Sequence, residues 1–170
     1  MSTRAGSLAK RFEEVHNDVL ELAWATSEEE WSRQCHPTGW PIGGVFRHIA
    51  RSYLLEMHCA AAFVSQSPFP PEFMDWSLLD RWNIQFTINR PKDETVMLLQ
   101  TAGITISALS DDQLNGVRYF PLADTDWSAE EMVEYVLIAH SGPHLEEIHA
   151  ALAPCPSTKD RDRELMRSNV

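Results

Sequence analysis

The side chains with the most capacity for chemistry in this sequence are its seven histidines, and three of them fall on apolar helical patterns. His140 and His144 are four residues apart, so on a regular helix they lie one turn apart on one face. Apolar residues from Val133 onward predict that this face enters the core. His48 lies between apolar neighbours in another helical segment and is also predicted to point inward. Two imidazoles at this spacing can each place a nitrogen about 2.0–2.1 Å from a common divalent ion.

Each of these histidines also has a simpler explanation. An HxxxH pair arises often by chance, and a single inward histidine is usually a core residue hydrogen-bonded to a neighbour. Three inward histidines would each need a partner, however, because an unpaired buried polar group costs about 1–3 kcal/mol. One metal ion satisfies all three at once. The spacing alone leaves both interpretations open, and it does not identify the ion, because imidazole suits zinc, nickel, iron and copper.

Four long segments of helical periodicity are available to position these histidines. Their apolar residues recur every three or four positions. The segments are residues 7–25, 43–64, 91–110 and 128–152. Shorter helices are predicted over 27–34 and 76–86. The pattern predicts an all-α protein, an antiparallel four-helix bundle with short accessory helices over residues 1–153, followed by a polar C-terminal tail over 154–170.

Local signals mark two of the helix starts. Ser27 with Glu30, and Ser128 with Glu131, each match a capping box, in which each side chain satisfies the other residue's free backbone N–H. Residues 117–122 could be extended, but a single strand would have no partner. No sheet is therefore predicted.

Composition narrows the functional classes. The 170 residues fit one domain, and 44% of them are apolar, which is enough for a core. Fourteen Lys and Arg against 25 Asp and Glu give a formal net charge of −11 at pH 7, which argues against nucleic-acid and anionic membrane partners.

Cellular location and cofactor class follow from what the sequence lacks. It has no apolar run of the roughly 18–20 residues that a membrane helix needs, no signal-peptide pattern and no glycine-rich phosphate loop. Its three cysteines have no disulfide or ligand spacing. We therefore expect a cytoplasmic protein with a small-molecule partner and no nucleotide cofactor.

Four stretches of the sequence resemble the motifs of one known family. WSRQCHPTGWPIGGVFRHIARS resembles the tryptophan-containing loop of DinB-like proteins, which enters the helix that carries the first metal histidine. VEYVLIAHSGPHLEEIHAAL resembles its last-helix motif, an HxxxH followed by a hydrophobic end, and RWNIQFTINRPKDETVMLL and LSDDQL resemble its middle section. The resemblance spans about residues 6–153 and rests on the order and spacing of short motifs.

The resemblance implies a four-helix bundle, a homodimer and a divalent metal held by one histidine of the second helix and two of the last. Those positions are His48, His140 and His144. Characterised relatives use the metal to activate low-molecular-weight thiols for transfer or isomerisation reactions. We therefore expect one zinc, nickel or iron ion per chain, with water in its remaining positions.

One departure from the family pattern is the Ser-Gly-Pro between His140 and His144. Pro143 removes the donor for the carbonyl of Ala139, so a kink is expected that spoils or widens the shared site. Glu147 is either a further ligand or base, or a solvated surface residue.

The remaining polar candidates are weaker. Asn83 either hydrogen-bonds near the metal or packs structurally, and His16 either lies behind the ligands or is exposed. His149 is about 140° around the helix from His144 and is predicted to lie on the surface. His36 and His58 have no supporting pattern, and no catalytic acid or base is assigned.

Two functions of different classes remain. In one, the ion activates a thiol or water against an electrophilic small molecule, as in a transferase, isomerase or hydrolase. In the other, the protein is a non-catalytic, stress-linked binding protein with a structural or vestigial metal. A ligand-sized pocket opening onto the metal favours the first.

Loop aromatics, if exposed, predict a homodimer with these side chains at the margin of its interface. The competing explanation is that they cap the ends of the bundle. They are Trp24, Trp31, Trp40, Phe69, Phe73 and Trp76.

Overall fold

A computed structural model of the protein describes residues 3–84, 90–101 and 109–153. Its helices are α1 (Arg4–Ala25), α2 (Glu28–Trp31), α3 (Ile42–Ser65), α4 (Trp76–Ile84), α5 (Lys92–Thr101), α6 (Asp111–Leu114), α7 (Ala129–Glu131) and α8 (Ser141–Leu152). A 3₁₀ turn spans Pro71–Phe73, and a π-helical segment, Met132–Ile138, joins α7 to α8. Two strands, β1 (Val117–Phe120) and β2 (Thr125–Ser128), form a hairpin between α6 and α7.

The long helices form the predicted four-helix bundle. Helices α1 and α3 each pack against α5 and against the C-terminal helical stretch, which comprises α7, the π-helical segment and α8. Most side chains of α3 are buried because it has neighbours on several sides. None of the described helices is long and apolar enough to cross a membrane.

Both predicted capping boxes are present. Ser27 and Ser128 each accept a hydrogen bond from the backbone N–H three residues ahead. The carboxylates of Glu30 and Glu131 in turn accept a hydrogen bond from the backbone N–H of the cap residue. The prediction that the third long helix extends to Ser110 is wrong at its end. Ser110 is non-helical and caps α6 instead, while residues 102–108 lie outside the described part.

The hairpin corrects the expectation of no sheet. β1 pairs antiparallel with β2, with Arg118 opposite Trp127. The partner strand reads TDWS, which has a single large apolar side chain and therefore no alternation visible in the sequence. The rings of Phe120 in β1 and Phe63 in α3 lie 5.7 Å apart between centroids, which places the hairpin against the bundle.

The Ser-Gly-Pro departure interrupts the C-terminal stretch without separating its histidines. The π-helical segment ends where the Ala139 N–H donates to Glu134 at 3.1 Å, and residues 139–140 form a turn. Because α8 begins at Ser141, Pro143 occupies its first turn, where the missing N–H needs no intrahelical partner. The carbonyl of Ala139 accepts from Gly142 instead, at 3.2 Å.

The loop aromatics are less exposed than expected. Trp31, Phe69 and Phe73 are buried, and Trp31 stacks on Phe46 with centroids 5.3 Å apart. Trp40 is partly buried. Of the six, Trp24 and Trp76 are exposed, at 59% and 61%. The homodimer stays a prediction, with a smaller aromatic surface to support it.

Candidate metal centre

Three histidine side chains from two helical stretches meet at one point. His48 lies two turns into α3, while His140 and His144 flank the start of α8. The Nε2 atom of His140 lies 3.1 Å from that of His48 and 3.1 Å from that of His144. Each of the three offers a ligand atom within 4.8 Å of the other two. The structure thus brings together the three residues that the sequence singled out.

This geometry fits a shared ion better than a hydrogen-bonded cluster. A single proton on His140 Nε2 can be donated to only one of the two neighbouring nitrogens. Donor atoms bound to one ion at about 2.0–2.1 Å lie about 2.9–3.4 Å apart for bond angles of about 90–109°. Both 3.1 Å separations fall in that range. The residues present therefore fit a divalent ion.

A buried carboxylate supports His140 from α3. Glu56 Oε1 lies 2.7 Å from His140 Nδ1, and Glu56 is only 4% exposed. A carboxylate is a usual outer partner of a metal-binding imidazole. Here it contacts Nδ1, which fixes the ring orientation and directs Nε2 toward the other two histidines. Glu56 is thus placed to hold His140 in a ligand geometry.

A second carboxylate lies behind His144, at a longer distance. Glu147 Oε2 is 3.8 Å from His144 Nδ1, and the Glu147 side chain is buried. Its other oxygen, Oε1, accepts hydrogen bonds from Thr38, from the backbone N–H at 3.2 Å and from the hydroxyl. Thr38 belongs to the loop between α2 and α3. This loop therefore anchors the carboxylate that faces His144.

The protonation of the three imidazoles is set by burial and by their neighbours. Burial, with the charges of the other two histidines, lowers the pKa of His48 to about 3. Burial and His140 lower the pKa of His144 to about 4, against the opposing effect of Glu147. Burial also lowers the pKa of His140, but Glu56 outweighs it and raises that pKa above its ordinary value. At neutral pH, His48 and His144 are therefore unprotonated, as metal ligands must be.

A cavity of about 390 Å³ lies against the histidines. His48, Glu56 and His140 form part of its wall, with Ser52 and Asn83 nearby. The 3₁₀ turn, α4 and the hairpin form much of the rest of the wall with large apolar side chains. These include Phe73, Trp76, Leu79, Trp82, Phe120 and Trp127. A small molecule in this cavity would lie beside the histidine nitrogens.

With this geometry established, comparison with known proteins identifies the family. The DinB superfamily model matches residues 11–148. The chain belongs to the DinB superfamily. A search of curated proteins found no match.

A solved structure shares the fold of this DinB protein. YfiT from Bacillus subtilis, described as a probable metal-dependent hydrolase with an unusual four-helix bundle topology, matches with a TM-score of 0.65 at 16% sequence identity. The match covers 87% of this chain and 85% of YfiT. At this identity the likeness concerns the fold, and it supports the bundle described above.

The other sequence candidates of this DinB protein differ in how they relate to the site. Glu147 is buried behind His144 rather than solvated, and Asn83 lines the cavity. His149 is exposed, as predicted. His16 is partly buried and stacks on Phe12, with centroids 5.6 Å apart.

Two supporting residues escaped the sequence analysis. Glu56 is eight residues after His48, two helical turns along the same face, with Ser52 between them. That i, i+4, i+8 series of polar residues on an otherwise apolar face was the available signal. Thr38 carried no such signal, because its contact with Glu147 depends on how the loop folds back onto α8.

Proposed function

We propose that this chain is a metal-dependent enzyme in which His48, His140 and His144 hold one divalent ion and the adjoining cavity holds a small-molecule substrate. The observation that carries the proposal is the convergence of three histidine side chains, two of which, His48 and His140, line that cavity. Within the described residues, the candidate ligand group comprises these three histidines. Structural zinc sites usually have four protein ligands, whereas catalytic sites keep an open position for water or substrate.

The chemistry divides between the ion and the chain. When bound, a divalent ion supplies Lewis-acid chemistry, lowering the pKa of water or a thiol and polarising a carbonyl. Glu56 and Glu147 orient two of the imidazoles. A substrate that fills the cavity would displace water from its apolar walls, which strengthens electrostatic interactions at the site. The description of YfiT as a probable hydrolase supports water as the nucleophile, and the family resemblance supports a low-molecular-weight thiol.

The first test asks whether the bound ion has an open position. Cobalt(II)-loaded protein is titrated with 2-mercaptoethanol while its visible and near-ultraviolet absorption is followed. We expect a sulfur-to-cobalt charge-transfer band to appear, and His48→Ala to abolish it. The matched control is His149→Ala, because His149 is an exposed histidine of α8. A spectrum in the wild type that no thiol or anion perturbs would indicate a closed site and favour the non-catalytic alternative.

The second test asks for turnover. Neutral aryl esters, amides and thiol-plus-electrophile pairs are assayed with the purified protein, after chelation, and after zinc, nickel or iron is restored. We expect activity that disappears on chelation, returns with one of the metals and is absent from His140→Ala. Activity that survives both chelation and His140→Ala would contradict the proposal.

A further inference from the structure

The wall of the cavity beside the histidines is mostly apolar, with one group of polar side chains. His48, Glu56 and His140 form this polar end, and Ser52 lies between His48 and Glu56 on α3. The rest of the wall is mainly aromatic and hydrocarbon surface from the 3₁₀ turn, α4 and the hairpin, and it also includes Asn83 and Tyr135. Apolar pockets with a few convergent polar groups bind ligands whose polarity is distributed in the same way. A ligand that fits this wall would have a polar group at one end and a larger apolar part.

The described residues that line this cavity include no Lys or Arg. Arg118 of the hairpin is engaged elsewhere, donating to the carbonyl oxygens of Ala62 and Ser67. An anionic group among the apolar side chains of the wall would lose its hydration and gain no cationic partner from these described lining residues.

We propose that this cavity selects against anions and binds a small molecule without negative charge, which has an aromatic or branched hydrocarbon body and a polar group that points at His48 and His140. This inference rests on the proposed function, because it takes the histidine end as the reacting end. The volume of about 390 Å³ is near the lower end of the usual range of about 300–1,000 Å³ for ligand sites. The site therefore suits a compact molecule rather than a peptide or a nucleotide.

The same argument restricts the co-reactant. A thiol that carries several carboxylates would place them against apolar walls and near Glu56, with no Lys or Arg among the described lining residues to pair with them. Water and uncharged thiols meet no such penalty. The co-reactant is therefore water or a neutral thiol.

Trp76 offers a way to test the apolar body without disturbing the core. It lines the cavity and is 61% exposed, which places it at the rim. Its Nε1 donates to the carbonyl of Leu122 at 3.1 Å. Trp24 is 59% exposed and does not line the cavity, so it is a matched control. Trp76→Ala removes ligand contact, while Trp24→Ala removes an equally exposed indole elsewhere.

The experiment compares the binding of two naphthalene probes of similar size. These are 2-naphthamide, which is neutral, and 2-naphthoate, which is anionic. Binding is followed by calorimetry in chelator-treated protein and in zinc-loaded protein, with circular dichroism confirming the fold of each. In chelator-treated protein we expect the amide to bind at least about tenfold more tightly than the naphthoate. Trp76→Ala should weaken the amide about tenfold, and Trp24→Ala should leave it unchanged.

The outcomes separate this inference from the proposed function. Equal or tighter binding of the naphthoate in chelator-treated protein would overturn the selection against anions, even if the histidines bind metal. Loss of amide binding in both tryptophan variants, or in neither, would overturn its placement in this cavity. A protein that binds the amide selectively but takes up no metal would contradict the proposed function alone.

Discussion

The two histidines of the C-terminal stretch are supported in different ways. On one side, His140 meets Glu56 at 2.7 Å, and Glu56 belongs to the long central helix α3. On the other side, His144 is 3.8 Å from Glu147, whose second oxygen is held by Thr38 in a loop. The first support is a direct contact between packed helices, and the second depends on a chain segment without regular structure.

This difference indicates which imidazole defines the site. Both short Nε2 separations involve His140, and its supporting carboxylate is the more deeply buried of the two. A carboxylate in contact with Nδ1 restrains the ring, whereas one at 3.8 Å is beyond hydrogen-bond distance and restrains it less. We therefore expect changes on the Glu56 side to affect metal affinity more than changes on the Glu147 side.

The largest of these effects should come from Glu56→Gln. The amide keeps the side-chain shape but removes the charge facing His140, so zinc affinity should fall about 10–100-fold in a competition titration with a chromophoric chelator. Glu146→Gln, at an exposed position, serves as the control. A purely structural role for Glu56 would instead lower the unfolding temperature of the metal-free protein and leave zinc affinity unchanged.

Glu147→Gln should have a smaller effect on the same titration. Because the carboxylate is 3.8 Å from His144 Nδ1, its loss should weaken zinc binding about 3–10-fold. If Glu147→Gln loses as much zinc affinity as Glu56→Gln, or more, then Glu56 is not the stronger of the two supporting carboxylates.

Thr38→Val should weaken zinc binding only about twofold, since it acts on His144 through Glu147. The variant keeps the backbone N–H bond and loses the hydroxyl bond, which should cost about 1 kcal/mol in the free energy of unfolding. Both quantities can be measured in one series of denaturant titrations with and without zinc. An affinity loss matching that of Glu147→Gln would show that the hydroxyl bond is the main anchor of this carboxylate.

The smallest expected effect concerns Cys35, which is buried in the same loop. Burial, with the Glu147 charge, raises the pKa of the Cys35 thiol to about 11. At pH 8 little thiolate is present, so iodoacetamide should modify Cys35 slowly, and the rate should rise as the pH approaches 11. Glu147→Gln should raise the rate about twofold at pH 8, as measured by peptide mass spectrometry. Rapid modification of the wild type at pH 7 would mean that this loop is open in solution.

The sequence predicted the helical scaffold because its signals are local. A capping box and a periodic apolar pattern each depend on residues that are close in the sequence. The structure contains both predicted capping boxes, at Ser27 and at Ser128. The hairpin was missed because Thr125–Ser128 becomes a strand only through its pairing with Val117–Phe120.

The three histidines were predictable from the sequence, but the residues that support them were not. The positions of His48, His140 and His144 followed from inward-facing positions on two helices and from the family resemblance. Glu56 and Thr38 did not, because a carboxylate stays buried, and a loop residue reaches Glu147, only when distant segments pack together. Local patterns predict which residues face the core, whereas tertiary contacts decide which polar groups there gain partners.

The central claim is that His48, His140 and His144 form one metal site. Its most direct test is the zinc content of the purified protein, measured by mass spectrometry after loading and removal of excess metal. The wild type is compared with four variants, His48→Ala, His140→Ala, His144→Ala and the control His149→Ala. We predict about one ion per chain in the wild type and the control, and little or none in the other three variants. Equal metal content in all five proteins, each shown by circular dichroism to be folded, would contradict the account.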